Sequence, residues 1–262
     1  MSARRNVVAC LSSLLALVAL AGCGAGSDAG DGEKKGAKEP APPTSSPLVC
    51  PDGAQCFDFA DKDSGWPEQN ETGYFANQDP YLDGSYRIGG REAGTWNVTS
   101  PVQVTELAND YGVQIETDAV SGEGFPANAA WGASCWTALV DGGGFSGFGV
   151  YVQQGTATLG LWNQYTGEFK PLKNRDVSGL VKAGQKNHLT LSCRQESASG
   201  GAQARIDVEL NGSAAVSIAY ANSVQNFGWK PADGVGLLVA GKGADVFYDD
   251  VVITGKCDQY CA

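Results

Sequence analysis

Residues 188–220 read HLTLSCRQESASGGAQARIDVELNGSAAVSIAY. In the first part Leu189, Leu191 and Cys193 alternate with His188, Thr190 and Ser192; in the second, Ile206, Val208 and Leu210 share one face. Period-two alternation puts apolar residues on the core side of a half-buried strand. Asn211-Gly212 follows, a pair favoured in type I′ hairpin turns because both central residues must take positive φ. The stretch AAVSIAY then returns. The segment predicts antiparallel strands with one face in a core.

The same grammar extends outward. In GVQIETDAV, residues 112–120, Val113 and Ile115 face one way and Gln114, Glu116 and Asp118 the other. VGLLVA, a Gly-Lys-Gly turn and ADVFYDDVVIT predict a closing hairpin. No long segment keeps a helical period, and Gly, Pro, Asn and Asp interrupt the runs at regular spacing. That pattern predicts an all-β, two-sheet antiparallel sandwich.

The chain opens MSARRNVVACLSSLLALVALAGC. Its apolar run is shorter than the roughly 20 residues a membrane helix needs, and two arginines precede it, so it reads as a signal peptide over 1–22. Leu20-Ala21-Gly22-Cys23 looks like the lipobox of bacterial lipoproteins, which implies an acylated Cys23 as the first mature residue and a lipid anchor in the membrane. Residues 23–48 carry no large apolar residue until Leu48 and read as a flexible tether, since they cannot offset the entropy of ordering. Residues 49–262 are left as one domain. The expected location is the outer side of a bacterial cell membrane.

Without Arg4 and Arg5 there are 16 basic against 29 acidic residues, a net charge of −13. This excludes nucleic acid and anionic membrane surfaces as expected partners. Six cysteines remain after Cys10 and Cys23, and an even number in an exported chain predicts disulfides. Zinc is the weaker reading: CPDGAQC and CDQYC lack C-x-x-C spacing, and the single histidine is distant.

The order FDFADKDSGWP, SYRI, VQIETDAV, GASCWTALV, FGVYVQQ, GEFKPL, NHLTLSC, DVELNG, VGLLVAG, VFYDDVVITG resembles the concanavalin A-like jelly-roll domains. More narrowly, it is similar to the laminin-G-like or DUF1080-like extracellular modules of actinobacterial lipoproteins and kinase ectodomains. The resemblance implies a Cys135–Cys193 bridge. It also implies neighbouring first and last strands, bringing Cys56 near Cys257 and Cys50 near Cys261; the local pairs Cys50–Cys56 and Cys257–Cys261 stay open. In DSGWPEQNETGYF, residues 63–75, it implies a loop with Trp66 folded onto the sandwich edge.

Three chemistries compete. Non-catalytic glycan binding needs a ring against a sugar face, with amides and carboxylates on the hydroxyls. Trp136, Tyr151 and Trp162, sharing one concave face with Gln114 and Glu116, would form such a platform for a glycan or cell-wall polymer. Glycoside hydrolysis needs two flanking carboxylates. Glu116 and Asp118 would lie about 6.6 Å apart along a strand, but laminarinase-type jelly rolls place E-x-D-x-E or E-x-D-x-x-E here, whereas this chain has Gln114-x-Glu116-x-Asp118 followed by Val120 and Ser121. The nucleophile of that pattern is missing, so any hydrolase role for Glu116 and Asp118 is the lesser expectation. A protein-contact or sensor module is the third reading. No cofactor is expected. A structural calcium ion on Asp58, Asp249 and Asp250 is a smaller expectation. His188 reads as a surface histidine. Gly142–Gly147 satisfies G-x-G-x-x-G but precedes a strand, not the helix that a pyrophosphate site needs.

Overall fold

The structure is a computed structural model describing residues 47–60, 64, 66, 81–90, 96–99, 112–122, 124–136, 147–162, 168–198, 201–221 and 234–255. Cys23, the tether up to residue 46, Cys257 and Cys261 lie outside them. So does most of the 63–75 stretch. The described residues belong to a compact unit spanning Ser46–Ala262.

Every regular element among them is a strand. In chain order these are β1 Gln55–Phe57, β2 Tyr81–Leu82, β3 Ser85–Gly89, β4 Trp96–Thr99, β5 Gly112–Ser121, β6 Ala130–Trp136 and β7 Gly147–Gln153. They continue as β8 Thr156–Trp162, β9 Phe169–Asp176, β10 Asn187–Ala198, β11 Gly201–Leu210, β12 Ser213–Ala221, β13 Gly234–Ala240 and β14 Asp245–Gly255. An eight-stranded sheet runs β12-β11-β10-β5-β14-β3-β2 with β1 also on β14; a six-stranded sheet runs β4-β13-β6-β7-β8-β9. All recorded pairings are antiparallel. The fold is a two-sheet jelly-roll sandwich.

Alternation sets the core as expected. Val113, Ile115, Leu189, Leu191, Ile206 and Val208 from one sheet are buried against residues such as Phe148, Val150, Leu159 and Leu237 from the other. Asn211 and Gly212 take φ of 53° and 74°, the positive pair a type I′ turn requires. The turn is held further by its own side chain: Asn211 Oδ1 accepts the His188 N–H at 2.9 Å.

The expected closing hairpin does not form. β13 lies in the six-stranded sheet on β4 and β6, and β14 lies in the eight-stranded sheet on β3, β5 and β1. Both strands carry core residues, so the turn between them crosses the sandwich; Gly241 (φ 104°) and Gly243 (φ 78°) supply its backbone.

Two links cross the core. The Cys135–Cys193 disulfide joins β6 to β10, with Cα atoms 6.6 Å apart. The fully buried Tyr248 hydroxyl accepts the Gly132 N–H at 3.2 Å and donates to the Leu238 carbonyl at 2.9 Å. Burial pushes its phenol pKa up.

Near the amino end, β1 pairs with β14 as the resemblance implied. The register, however, places Cys56 opposite Val252. Cys56 is bonded to Cys50, so the cross-terminal pairing gives way to the local one. Cys50 and Cys56 are bridged around a turn closed by the Ala54 N–H donating to the Pro51 carbonyl at 3.1 Å. Trp66 is buried in an aromatic nest with Phe57, Phe59 and Tyr86, its ring 5.4–5.7 Å from theirs.

The long side of the sandwich between edge strands β9 and β12 is closed by cations. Lys173 and Arg175 occupy positions opposite the core residues Leu159 and Ala157, so both start toward the sandwich interior. Their heads reach across: Lys173 Nζ donates to the Ser217 carbonyl at 2.9 Å and Arg175 Nη1 to the Ala214 carbonyl at 3.2 Å.

Candidate functional site

β5, β10 and β11 lie side by side, and their outward residues fall into register. Asp118 is opposite His188; Glu116, Thr190 and Glu209 form a row; Gln114, Ser192 and Asp207 form the next; Arg194 is opposite Arg205. All of these but Asp118, which stands at its margin behind His188, line a groove of about 630 Å³, with Arg175 reaching over from β9. No Phe, Tyr or Trp side chain is among its described lining.

The groove is an ordered charge lattice. The His188 Nδ1–H donates to Asp118 Oδ1 at 2.8 Å, and Nε2 lies 3.7 Å from Glu116 Oε2. The Gln114 amide donates to Glu116. Arg194 bridges Glu196 at 3.1 Å and Asp207 at 3.3 Å, and Arg205 Nε donates to Asp207 at 2.9 Å. Beside the groove, Lys186 Nζ lies 3.2 Å from Asp118, 3.0 Å from Asp249 and 3.6 Å from Asp250.

The titration of these groups follows from their neighbours. The hydrogen bonds to Asp118 and then Glu116 lift His188 from 6.5 to about 9, so it is a cation at neutral pH. Burial alone would raise the Asp118 carboxyl, but His188 and Lys186 outweigh it and hold the pKa below the ordinary range. Burial opposes the charge on Lys186, yet its bond to Asp249 and the surrounding acids carry it to about 12. Burial, then the Asp249 charge, push Asp250 up.

A pH dependence of stability follows. Folding raises the His188 pKa, so its contribution is fully present below about 6.5 and is lost as pH climbs through about 9. The imidazole is 43% exposed, and solvent screening leaves about 1 kcal/mol. Urea melts at pH 6 and pH 9.5 should show that loss in the parent and a difference smaller by that amount in His188→Gln; equal differences in both would remove the ion pair from the account.

The expected platform is divided between two sheets. Gln114 and Glu116 face outward from the eight-stranded sheet, whereas Trp136, Tyr151 and Trp162 stand on β6, β7 and β8 of the six-stranded one. Trp162 is 2% exposed. Tyr151 is half-buried with its ring edge-on to Phe169 at 5.0 Å. Trp136 pairs through its backbone with Gly147 and Gly234, and its side chain is outside the described residues. Period two sorts side chains into inward and outward, but it does not say which sheet a strand joins.

The calcium candidates do not gather. Asp58 Oδ1 accepts the Ala60 N–H at 3.1 Å, while Asp249 and Asp250 turn to Lys186. Among the described residues no three His, Cys, Asp or Glu side chains are grouped to hold a metal ion. Sequence reasoning missed His188 and the arginines as site residues. Their signal was weak but present: the outward residues of β10 and the acidic outward face of β5 are complementary once paired.

No protein-family model and no curated protein matches the chain. Among solved structures, a mutant of the alginate lyase Aly36B bound to alginate trisaccharide is similar at 13% identity, covering 67% of this chain and 83% of that one, with a TM-score of 0.46. The carbohydrate-binding module CBM66 from Bacillus subtilis is similar at 12% identity over 73% and 96%, TM-score 0.45. The CBM2 module of the evolved Dit protein of Lactobacillus casei BL23 phage J-1 is similar at 12% over 76% and 95%, TM-score 0.46.

Proposed function

We propose that this chain is a surface lipoprotein, anchored through Cys23, whose sandwich binds a glycan without cleaving it. The observation that supports the reading is the groove on the eight-stranded sheet. Its amide, its guanidinium groups and the Glu116 and Asp207 carboxylates are already fixed by bonds, so polyol recognition costs little further side-chain ordering. The bonds of the same lattice take Asp118 out of the role of proton donor. A glycosidase needs one carboxylic acid kept protonated as proton donor, and Asp118 is held ionised by His188 and Lys186. A protein-contact module remains the rival from another class.

A glycan array probed with the protein, followed by calorimetry and reducing-end assays on each hit, tests the reading. Gln114→Ala should weaken binding about 5- to 30-fold, the loss of one or two net hydrogen bonds at about 1 kcal/mol each, and no hit should be cleaved. Hydrolysis by the parent that is lost in Glu116→Gln would replace the binding reading with an enzyme; an empty array would favour the protein-contact module. Cys23→Ser should move the protein out of the membrane fraction.

A further inference from the structure

A second cavity lies away from the charged groove, at one end of the sandwich. It measures about 790 Å³, within the few-hundred to ~1,000 Å³ range of small-ligand sites. Trp131 and Val152 of the six-stranded sheet line it, with Phe125 and Val181 from two loops. Ser121, Gln154 and Ser178 supply neutral polar groups, and four glycines complete the wall. No charged side chain is among its described lining.

The walls are built. Gly124 and Gly184 take φ of 72° and 64° with open space where a side chain would stand, so bare backbone faces the cavity. A Cβ on Gly155 would meet Ser178 at 2.8 Å. The first loop is fixed by the Gly122 N–H donating to the Asp245 carbonyl at 2.8 Å. The 177–185 loop is fixed by the Val177 N–H on the Gly155 carbonyl at 2.7 Å. It is pinned again by the nearly buried Asn187, which accepts the Lys182 N–H at 2.8 Å and donates to the Lys182 and Gln185 carbonyls at 2.9 Å. Asn211 adds a bond to the Leu180 carbonyl at 2.7 Å. A buried polar network that holds an exposed loop in one shape is the support a preformed site needs.

We infer that this end cavity is a second binding site, for an uncharged sugar ring. The part-exposed Phe125 and Val181, backed by the buried Trp131 and Val152, suit the apolar face of a pyranose, and hydroxyl, amide and backbone groups suit its oxygens. A charged ligand would lose hydration here and find no counter-charge on the described walls. This site is separate from the groove, whose ligand reading does not depend on it.

Hydrogen exchange of the protein with cellohexaose, laminarihexaose, xylohexaose and mannohexaose tests the inference, with calorimetry on the binders. The expected result is protection of amides in 121–131 and 177–185 by at least one neutral sugar. Ala183→Trp, which fills the cavity from an exposed loop position, should lower that affinity tenfold or more without lowering the melting midpoint. Phe125→Ala should lower it by a smaller factor. Protection confined to β5, β10 and β11 would overturn the second site and leave the groove standing. Binding of none of the four sugars would overturn it as well, and the array then judges the groove alone. Affinity unchanged in both variants would also overturn it.

Discussion

Replacing Cys135 and Cys193 together by alanine should cost about 4 kcal/mol of folding stability. The two cysteines are 58 residues apart in sequence, and closing a loop of that length restricts the unfolded chain by about this amount in the chain-entropy model. At roughly 2–4 °C per kcal/mol for a domain of this size, the midpoint should fall by roughly 10 °C. The bridge also spans the core between the two sheets, where both residues are at most 1% exposed, so small side chains there leave a cavity as well. Differential scanning calorimetry of the parent, the double variant and the reduced parent measures it. A double variant melting within about two degrees of the parent would mean that packing between the sheets, not the bridge, sets the stability. The Cys50–Cys56 bridge closes a loop with a sequence separation of only 6, and its removal should matter less.

Asn187→Ala should cost about 3 kcal/mol although the position adjoins a surface loop. Both hydrogen-bonding ends of the amide are in use: Oδ1 accepts from the Lys182 N–H at 2.8 Å and from Asn211 Nδ2 at 3.0 Å, and Nδ2 donates to two carbonyls. The residue is 4% exposed. Truncation strands several groups at about 1–3 kcal/mol each, and water entering the loop recovers part of this. Asn187→Asp should be no better, because the second oxygen would face the Lys182 and Gln185 carbonyls where the amide now donates. Urea unfolding gives the cost, and exchange at 178–185 should quicken in the native baseline. A change below about 1 kcal/mol would show that the loop holds its shape without the amide.

Sequence alternation was legible wherever a strand has one wet and one dry face. β5, β10, β11 and the Asn211-Gly212 turn could be read because each is decided by local chemistry. The Cys135–Cys193 pair rested on resemblance. Sheet membership could not be read locally: β13 and β14 look like a hairpin because both are apolar and joined by glycines, and only long-range pairing assigns them to opposite sheets. The same gap scattered the aromatic platform, since Tyr151 and Glu116 are both outward residues, but of different sheets. His188 stayed unread for a related reason. Its charge state depends on Asp118 and Glu116, 70 and 72 positions away in sequence, which reach it only through the β5–β10 register.

The clasp of Lys173 and Arg175 onto β12 bears on how copies of this chain behave when crowded. An open strand edge is a template on which another chain can polymerise. Here two of the β12 edge carbonyls already have donors, and the facing edge strand carries Pro171, which has no N–H to offer. Two long cationic stems stand where an incoming strand would have to lie. Neighbouring copies can therefore be packed densely, as on a decorated surface, with this flank closed to strand exchange and fibre growth.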